Sequence, residues 1–355
     1  MLLVTYGCNL HCAYCYEPKT EHKQMSVSMA KKILKEQLLA LDDKYDTVEV
    51  HYMGGEPLLE FPLIVEVSEW LWTLDFVVGK KIMCFAPTNG TLLTNQMKDW
   101  FYANKHRISL GLSFDGDRVM QNMNRCNSSK SVDLAYFVNT WPKQSVKMTA
   151  SPETVDRLFT GVEFLQDVGF KYVSVDLAMG DSVRWTADGL LELKKQLSRF
   201  VTYYTENPDA PRCSMFFIDI TSVLHADRNV DVKTCGCGET LNCFDCNGKK
   251  YGCHLFAPIS IDVAKAKKSQ ETIDFSNHKQ FQSVKCKKCI LNTLCNHCYG
   301  MNYITTGDVS QPLSFHCSAF KLIFVANCRL QLNLAKRFND IDYLKKINKI
   351  IIDSF

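Results

Sequence analysis

Cysteine carries most of the chemistry written in this sequence. Cys8, Cys12 and Cys15 stand in a C-x3-C-x2-C spacing just after a short apolar run, Leu2 to Thr5. Three thiolates on one short loop can ligate three irons of a cubane cluster and leave the fourth iron open to a non-protein ligand. A closed structural zinc site needs a fourth protein ligand nearby. His11, wedged between Cys8 and Cys12, is awkwardly placed for that role. A second dense group, Cys286-x2-Cys289-x5-Cys295-x2-Cys298 followed by Cys317, lies downstream of Cys235, Cys237, Cys243, Cys246 and Cys253. By spacing alone Cys286, Cys289, Cys295 and Cys298 suit a zinc ribbon as well as an iron-sulfur cluster. Cys84, Cys126, Cys213 and Cys328 stand singly and read as small buried hydrophobes.

Eleven of the 17 cysteines fall after residue 232, and the charge is skewed the same way. Residues 233–355 hold 17 Lys and Arg against 9 Asp and Glu, a balance of +8, which leaves −5 for the rest of a chain whose net charge is +3. Two four-thiolate clusters in the tail would each carry about −2 and bring its excess down to roughly +4. Nucleic-acid binding then loses its support. An odd cysteine total with tight C-x2-C spacing argues for metal or cluster ligation over a disulfide framework. No run of about 18 apolar residues offers a membrane span, and the N-terminus turns polar too early for a signal peptide. The expected location is the cytoplasm, with no membrane partner.

The elements that must hold these cysteines alternate between strand and helix up to residue 205. Strand patterns cover Leu2 to Thr5, Val48 to Met53, Ile82 to Ala86, Ile108 to Phe114, Val146 to Ala150 and Tyr172 to Leu177. Helical periodicity follows Ser28, with Ala30, Ile33, Leu34, Leu38 and Leu41 on one face, then spans Pro62 to Phe76 and Asn95 to Ala103. It returns at Val155 to Leu165 and at Leu190 to Tyr204. Six βα units imply a parallel sheet with right-handed crossovers, and six strands suit an open, partial (β/α)6 TIM-like barrel. The expected fold class is α/β: this barrel over 1–205, a linker over 206–232, a Cys-rich, loop-rich domain over 233–320 and a C-terminal helical segment over 321–355. Helical character recovers from Ala319 to Phe338 and again from Tyr343 to Ile352. The tail has too few regular apolar positions to fold on burial alone, and metal ligation would supply the missing stability.

Cys8-Asn-Leu-His-Cys12-Ala-Tyr-Cys15-Tyr resembles the signature of the radical S-adenosylmethionine superfamily, including the aromatic residue before its last cysteine. Gly54-Gly55-Glu56-Pro57 resembles that family's GGE motif. Thr88-Asn89-Gly90 resembles its TNG segment, and Gly111 to Gly116, with Ser113 and Asp115, its fourth-strand motif. All four segments fall at strand C-termini, where βα barrels place their sites. Glycines 54 and 55 permit close backbone approach, Glu56 can accept hydrogen bonds from an amino group, and Asn89 and Ser113 offer neutral hydrogen bonds to a ribose or a carboxylate. The resemblance implies S-adenosylmethionine chelated to the open iron of a 4Fe-4S cluster and cleaved, by one electron, to a 5′-deoxyadenosyl radical.

The tail resembles the SPASM extension, which implies two auxiliary 4Fe-4S clusters and three in all. Carried over residue by residue, Cys237, Cys243, Cys253 and Cys298 take one cluster. Cys286, Cys289, Cys295 and Cys317 take the other. Cys295-x2-Cys298 is one residue shorter than the pattern, and Cys235 and Cys246 are surplus and could replace Cys237 or Cys243. Enzymes of this kind mostly modify peptides, and the resemblance implies a ribosomally made precursor that is crosslinked, epimerised or oxidised. It also implies an electron donor such as flavodoxin or ferredoxin, and leader recognition by a separate protein or by the tail. An anaerobic sulfatase-maturing enzyme is the alternative. There the residue after the Gly-x4-Cys cysteine is an Asp base, whereas here it is His254, which could serve as base or bond a cluster sulfur. A small-molecule oxidase of the same superfamily and a zinc-bearing adaptor without radical chemistry complete the readings.

Overall fold

The computed structural model describes residues 1–18, 23–41, 46–74, 79–225 and 231–354. Six short, β-branched or apolar segments become strands: β1 Leu2–Thr5, β2 Thr47–Gly54, β3 Lys81–Thr88, β4 Ile108–Leu112, β5 Val146–Ala150 and β6 Val173–Leu177. β1 is buried along its whole length, as a strand covered on both faces must be. β1 pairs with β2, β2 with β3 and β3 with β4, all parallel, and β5 pairs in parallel with β6. Past the end of β4 the Phe114 N–H donates to the Lys147 carbonyl at 2.9 Å and Ser113 bridges to Lys147, so the two sheets form one curved parallel wall. The expected partial barrel is present.

Its helices are α1 Val27–Leu39, α2 Phe61–Trp72, α3 Asn95–Ala103, α4 Arg118–Asn124, α5 Leu134–Thr140, α6 Leu158–Val168 and α7 Ala187–Glu206. The Ser26, Thr94, Asp117, Asp133 and Thr186 side chains cap α1, α3, α4, α5 and α7 by accepting from free N–H groups of the first turn. α2 stops at Trp72, and residues 75–76, expected to extend it, lie outside the described residues. α4 and α5 are additions to the expected set.

The tail begins inside the barrel's own core. Cys213, Met215 and Phe216, in the segment expected to link the domains, are buried in the cluster that holds β1 to β6. The Ser214 hydroxyl accepts from Val175 N at 2.8 Å, so this segment covers the outer edge of β6. Residues 226–230 of that segment lie outside the described residues. Beyond it, β7 Cys243–Phe244 and β8 Lys250–Tyr251 form a hairpin, and β7 joins β1 in parallel at Leu2 and Phe244. The tail helices are α8 Val263–Thr272, α9 Val284–Lys287, α10 Tyr299–Thr306, α11 Ser314–Arg337 and α12 Ile341–Ser354. Asn327 Nδ2 donates to the Met215 carbonyl at 2.8 Å and Arg337 Nη1 to the Glu206 carbonyl at 3.1 Å, which ties α11 along the barrel. Phe256, Phe281 and Tyr299 continue the barrel core, so part of the tail does fold by burial. Ile220, Leu291, Phe324 and Ile347 make a smaller core under α11 and α12. Among the described residues no helix is long and apolar enough to cross a membrane.

Candidate active site at the strand ends

The loop after β1 lies against the end of β2 because β2 ends in two glycines. A Cβ on Gly54, at φ +156°, would stand 3.1 Å from the Thr5 carbonyl carbon and nearer still to its oxygen. One on Gly55 would reach within 2.8 Å of Cys8 Cβ. Real Cβ atoms do not approach that closely, so only glycine lets the two segments touch. Gly55 N donates to the Thr5 carbonyl at 3.3 Å and Glu56 N to the Gly7 carbonyl at 2.9 Å. The loop then turns on itself, with Cys15 N donating to the Cys12 carbonyl at 3.0 Å, and presents Cys8, Cys12 and Cys15 half-buried as thiols.

Two buried carboxylates brace this loop against the other strand ends. Glu56, 1% exposed, accepts from Leu58 N at 3.1 Å and the Thr88 hydroxyl at 2.9 Å on one oxygen, and from Asn89 N at 2.7 Å on the other. Burial pushes its pKa up to about 7 against those bonds. Asn89 passes the connection on, donating from Nδ2 to Asn9 at 2.9 Å in the cysteine loop. Asp115 accepts from the Tyr14 hydroxyl at 2.5 Å, Asn124 Nδ2 at 3.2 Å and Thr149 N at 2.9 Å. Arg125 Nε lies 3.1 Å away as an ion pair without hydrogen-bond alignment. Burial keeps Tyr14, which sits between Cys12 and Cys15, well above the usual tyrosine pKa and therefore a donor. Asp115 and Asn89, expected as cofactor contacts, make these bonds within the protein. Ser113, half-buried past β4, has no side-chain hydrogen bond among the described residues.

The tail brings its cysteines to the same end. Tyr16, next to Cys15, shares a 2.9 Å hydrogen bond with His254 Nε2, next to Cys253. Among the described residues His254 Nδ1 is buried without a hydrogen-bond partner, and burial lowers the ring's pKa to about 4. Burial, then Cys298, with Cys243 and Cys235 behind, holds the Cys253 thiol protonated. Cys235, read as surplus, joins this group: its bond from the Cys237 thiol lowers it to about 6, and the buried Lys233 adds to the effect. Lys233 Nζ donates to the Cys237 and Phe275 carbonyls and pairs with Glu239 at 2.9 Å, which fixes that turn. Cys246 is set apart, its thiol donating to the Leu3 carbonyl at 3.1 Å. Burial, then Cys317, Cys286 and Cys289, pushes Cys295 up to about 12, so those four form a second group. Cys84 and Cys213 are buried singly as expected, whereas Cys126 is exposed and its sulfur accepts from His11 N at 3.3 Å. A left-handed backbone at Cys126, φ 54°, turns that side chain out of the core.

The Radical SAM superfamily profile matches residues 2–183. The chain belongs to that superfamily. Its fold is that of anSMEcpe solved with AdoMet and the Kp18Cys peptide, at TM-score 0.71 and 18% identity over 98% of this chain and 99% of that one. SuiB of Streptococcus suis, solved with the precursor peptide SuiA, gives 0.60 at 16% identity over 89% of this chain and 74% of SuiB. A GTP 3′,8-cyclase of Staphylococcus epidermidis is 21% identical over 277 residues, 73% of this chain and 79% of that enzyme.

Radical SAM membership implies a 4Fe-4S cluster and S-adenosylmethionine, and the first loop fits them: three thiols on one turn, backed by a wall with no room for a Cβ. Buried thiols that raise one another's pKa stay protonated until a cation's charge ionises them, and iron supplies that charge. Among the described residues no three His, Cys, Asp or Glu side chains stand close enough together for a single metal ion. Tyr14 stood in the signature read from the sequence, but its role as a brace, with Asn124 and Arg125, and the place of His297 and His316 beside the second thiol group were not read there. The Asp117 cap of α4 was the legible signal for Asn124 and Arg125 at that helix's end.

Proposed function

We propose that this radical SAM enzyme holds three 4Fe-4S clusters and modifies a peptide precursor by hydrogen abstraction. Cluster and S-adenosylmethionine together supply the 5′-deoxyadenosyl radical; the chain positions them and shields the radical. Cys8, Cys12 and Cys15 hold the first cluster. Cys286, Cys289, Cys295 and Cys317 hold one auxiliary cluster, and Cys253 and Cys298 with Cys237 and Cys243 hold the other, Cys235 competing for a place. The backbone at Gly54 and Gly55, the Ser113 hydroxyl and the remaining lone pair on Glu56 are the groups with capacity for the cofactor. Asn89 and Asp115 hold the wall behind it. The observation that carries this reading is the convergence of three strand-end segments on the cysteine loop through Glu56, Asn89 and Asp115.

Support for a peptide comes from the likeness to anSMEcpe over 98% of this chain and to SuiB over 89% of it, both solved with peptides. Sulfatase maturation is the second reading and rests on 28% identity over 121 residues, 34% of this chain, to a serine-type anaerobic sulfatase-maturating enzyme of Klebsiella aerogenes. A ring held near pKa 4 is a poor base at neutral pH, so His254 supports that reading less well than a hydrogen bond toward sulfur. The enzyme would draw its electron from a small donor such as flavodoxin or ferredoxin. The test is anaerobic reconstitution followed by iron counting, a 5′-deoxyadenosine assay, and mass spectrometry with a neighbouring gene's precursor peptide beside a sulfatase-motif peptide. About twelve irons per chain with nucleoside and a modified precursor support the proposal. Zinc without nucleoside ends it, and modification of the sulfatase peptide alone selects the second reading.

A further inference from the structure

His316 opens the first turn of α11 beside Cys317, and its Nε2 lies 3.9 Å from the sulfur of Cys295. Its ring stacks on Phe320 with centroids 6.4 Å apart and 14° between planes, and meets the His297 ring edge-on at 6.4 Å. His297 is buried and its tautomer is fixed: Asn302 Nδ2 donates to its Nδ1 at 2.8 Å and to the Val309 carbonyl at 2.9 Å. An acceptor at Nδ1 leaves the proton of the neutral ring on Nε2. The surface histidines His51 and His278 pair with Glu49 and Glu239. His297 and His316 instead pack on rings and sulfur, with no carboxylate at ion-pair distance among the described residues.

We propose that His316 is a positioning residue for the auxiliary cluster on Cys286, Cys289, Cys295 and Cys317, donating its Nε2–H to the Cys295 sulfur while His297 and Phe320 hold the ring. The inference rests on the cluster reading above. A thiolate ligand can only accept, so a ring this close presents N–H to it. Such a bond favours the more negative, reduced state of the cluster and raises its potential. Neither the loop spacing nor the identity of the four thiols contains this contact; it comes from folding α11 across the Cys295 turn.

The test uses the full chain with Cys8, Cys12 and Cys15 all changed to Ala, so that only auxiliary clusters report. In that background His316→Phe, which keeps the stacking ring, and His316→Gln, which keeps an N–H, are compared by iron and sulfide content and by EPR-monitored redox titration. The expected result is unchanged iron in both, a more negative midpoint for one cluster in His316→Phe, and a midpoint nearer the parent in His316→Gln. An unmoved midpoint in His316→Phe overturns the proposal. Loss of about four irons would do so too, because it makes His316 a ligand. A parent that binds no iron overturns the cluster reading, and this role with it.

Discussion

Glu56 binds three donors of its own chain with a side chain that burial would prefer neutral. The protonated carboxyl's contribution to stability is complete below about 4.5 and is lost as pH rises through about 7, because the folded state holds the proton more tightly than the unfolded one. Its amplitude is at most about 3 kcal/mol. Glu56→Gln should abolish that decline in urea melts across this range, and should cost about 1–3 kcal/mol by turning an amide N–H against that of Asn89. A variant whose pH profile overlays the wild type would remove Glu56 from the account. Cys12 is the plainer case. With two thiolates left, the first cluster is lost, so Cys12→Ala should form no 5′-deoxyadenosine under strong reductant, and wild-type amounts of nucleoside would refute the assignment. Both residues stand in motifs that could be read in the sequence. Their different jobs could not: a GGE glutamate and a cysteine ligand look equally functional until the hydrogen bonds of Glu56 are traced.

At the scale of elements, strands were the legible part. β1 lies where its apolar run predicts, and β2 to β6 to within a few residues, since β1 is an unbroken buried run while β2, β3 and β6 alternate buried with less buried positions. α4 and α5 span seven residues each, too short for a periodic stripe to emerge, and the two-residue strands of β7 and β8 carry no pattern at all. The glycine pair at the end of β2 was visible, and its reason is now steric. Gly55→Ala should push the cysteine loop away and lower bound iron by about four per chain, with Tm little changed because the contact is at the loop and not in the core. Full iron in that variant would mean the loop tolerates the shift. Tyr14→Phe removes the 2.5 Å bond to Asp115 while keeping the ring. It should weaken cluster retention on dilution more than it lowers Tm, which iron release against a chelator would measure.

Over the whole molecule the two halves share one core, so cluster chemistry and folding are linked in the tail. Cys289→Ala should cut iron from about twelve to about eight per chain and lower Tm, while cofactor cleavage at the first site continues without peptide product. An iron count equal to wild type would overturn its role as ligand. In the sequence, regular periodicity gives way to cysteine-rich loops after about residue 205. The fusion of barrel and tail through Met215, Phe216 and β7 was not legible there, because it depends on contacts between residues more than a hundred positions apart. One of these contacts also sets a timetable. The Thr5 end of β1's outer edge pairs early, with Lys23 to Met25, but its Leu2 end meets Phe244 only when that residue is made, and at about 5–20 residues per second that end stands open for roughly 10 to 50 s on the ribosome. An open apolar edge at that end invites other strands to pair there. A chain released at residue 205 would keep that edge for good, so the barrel half made alone should collect in inclusion bodies.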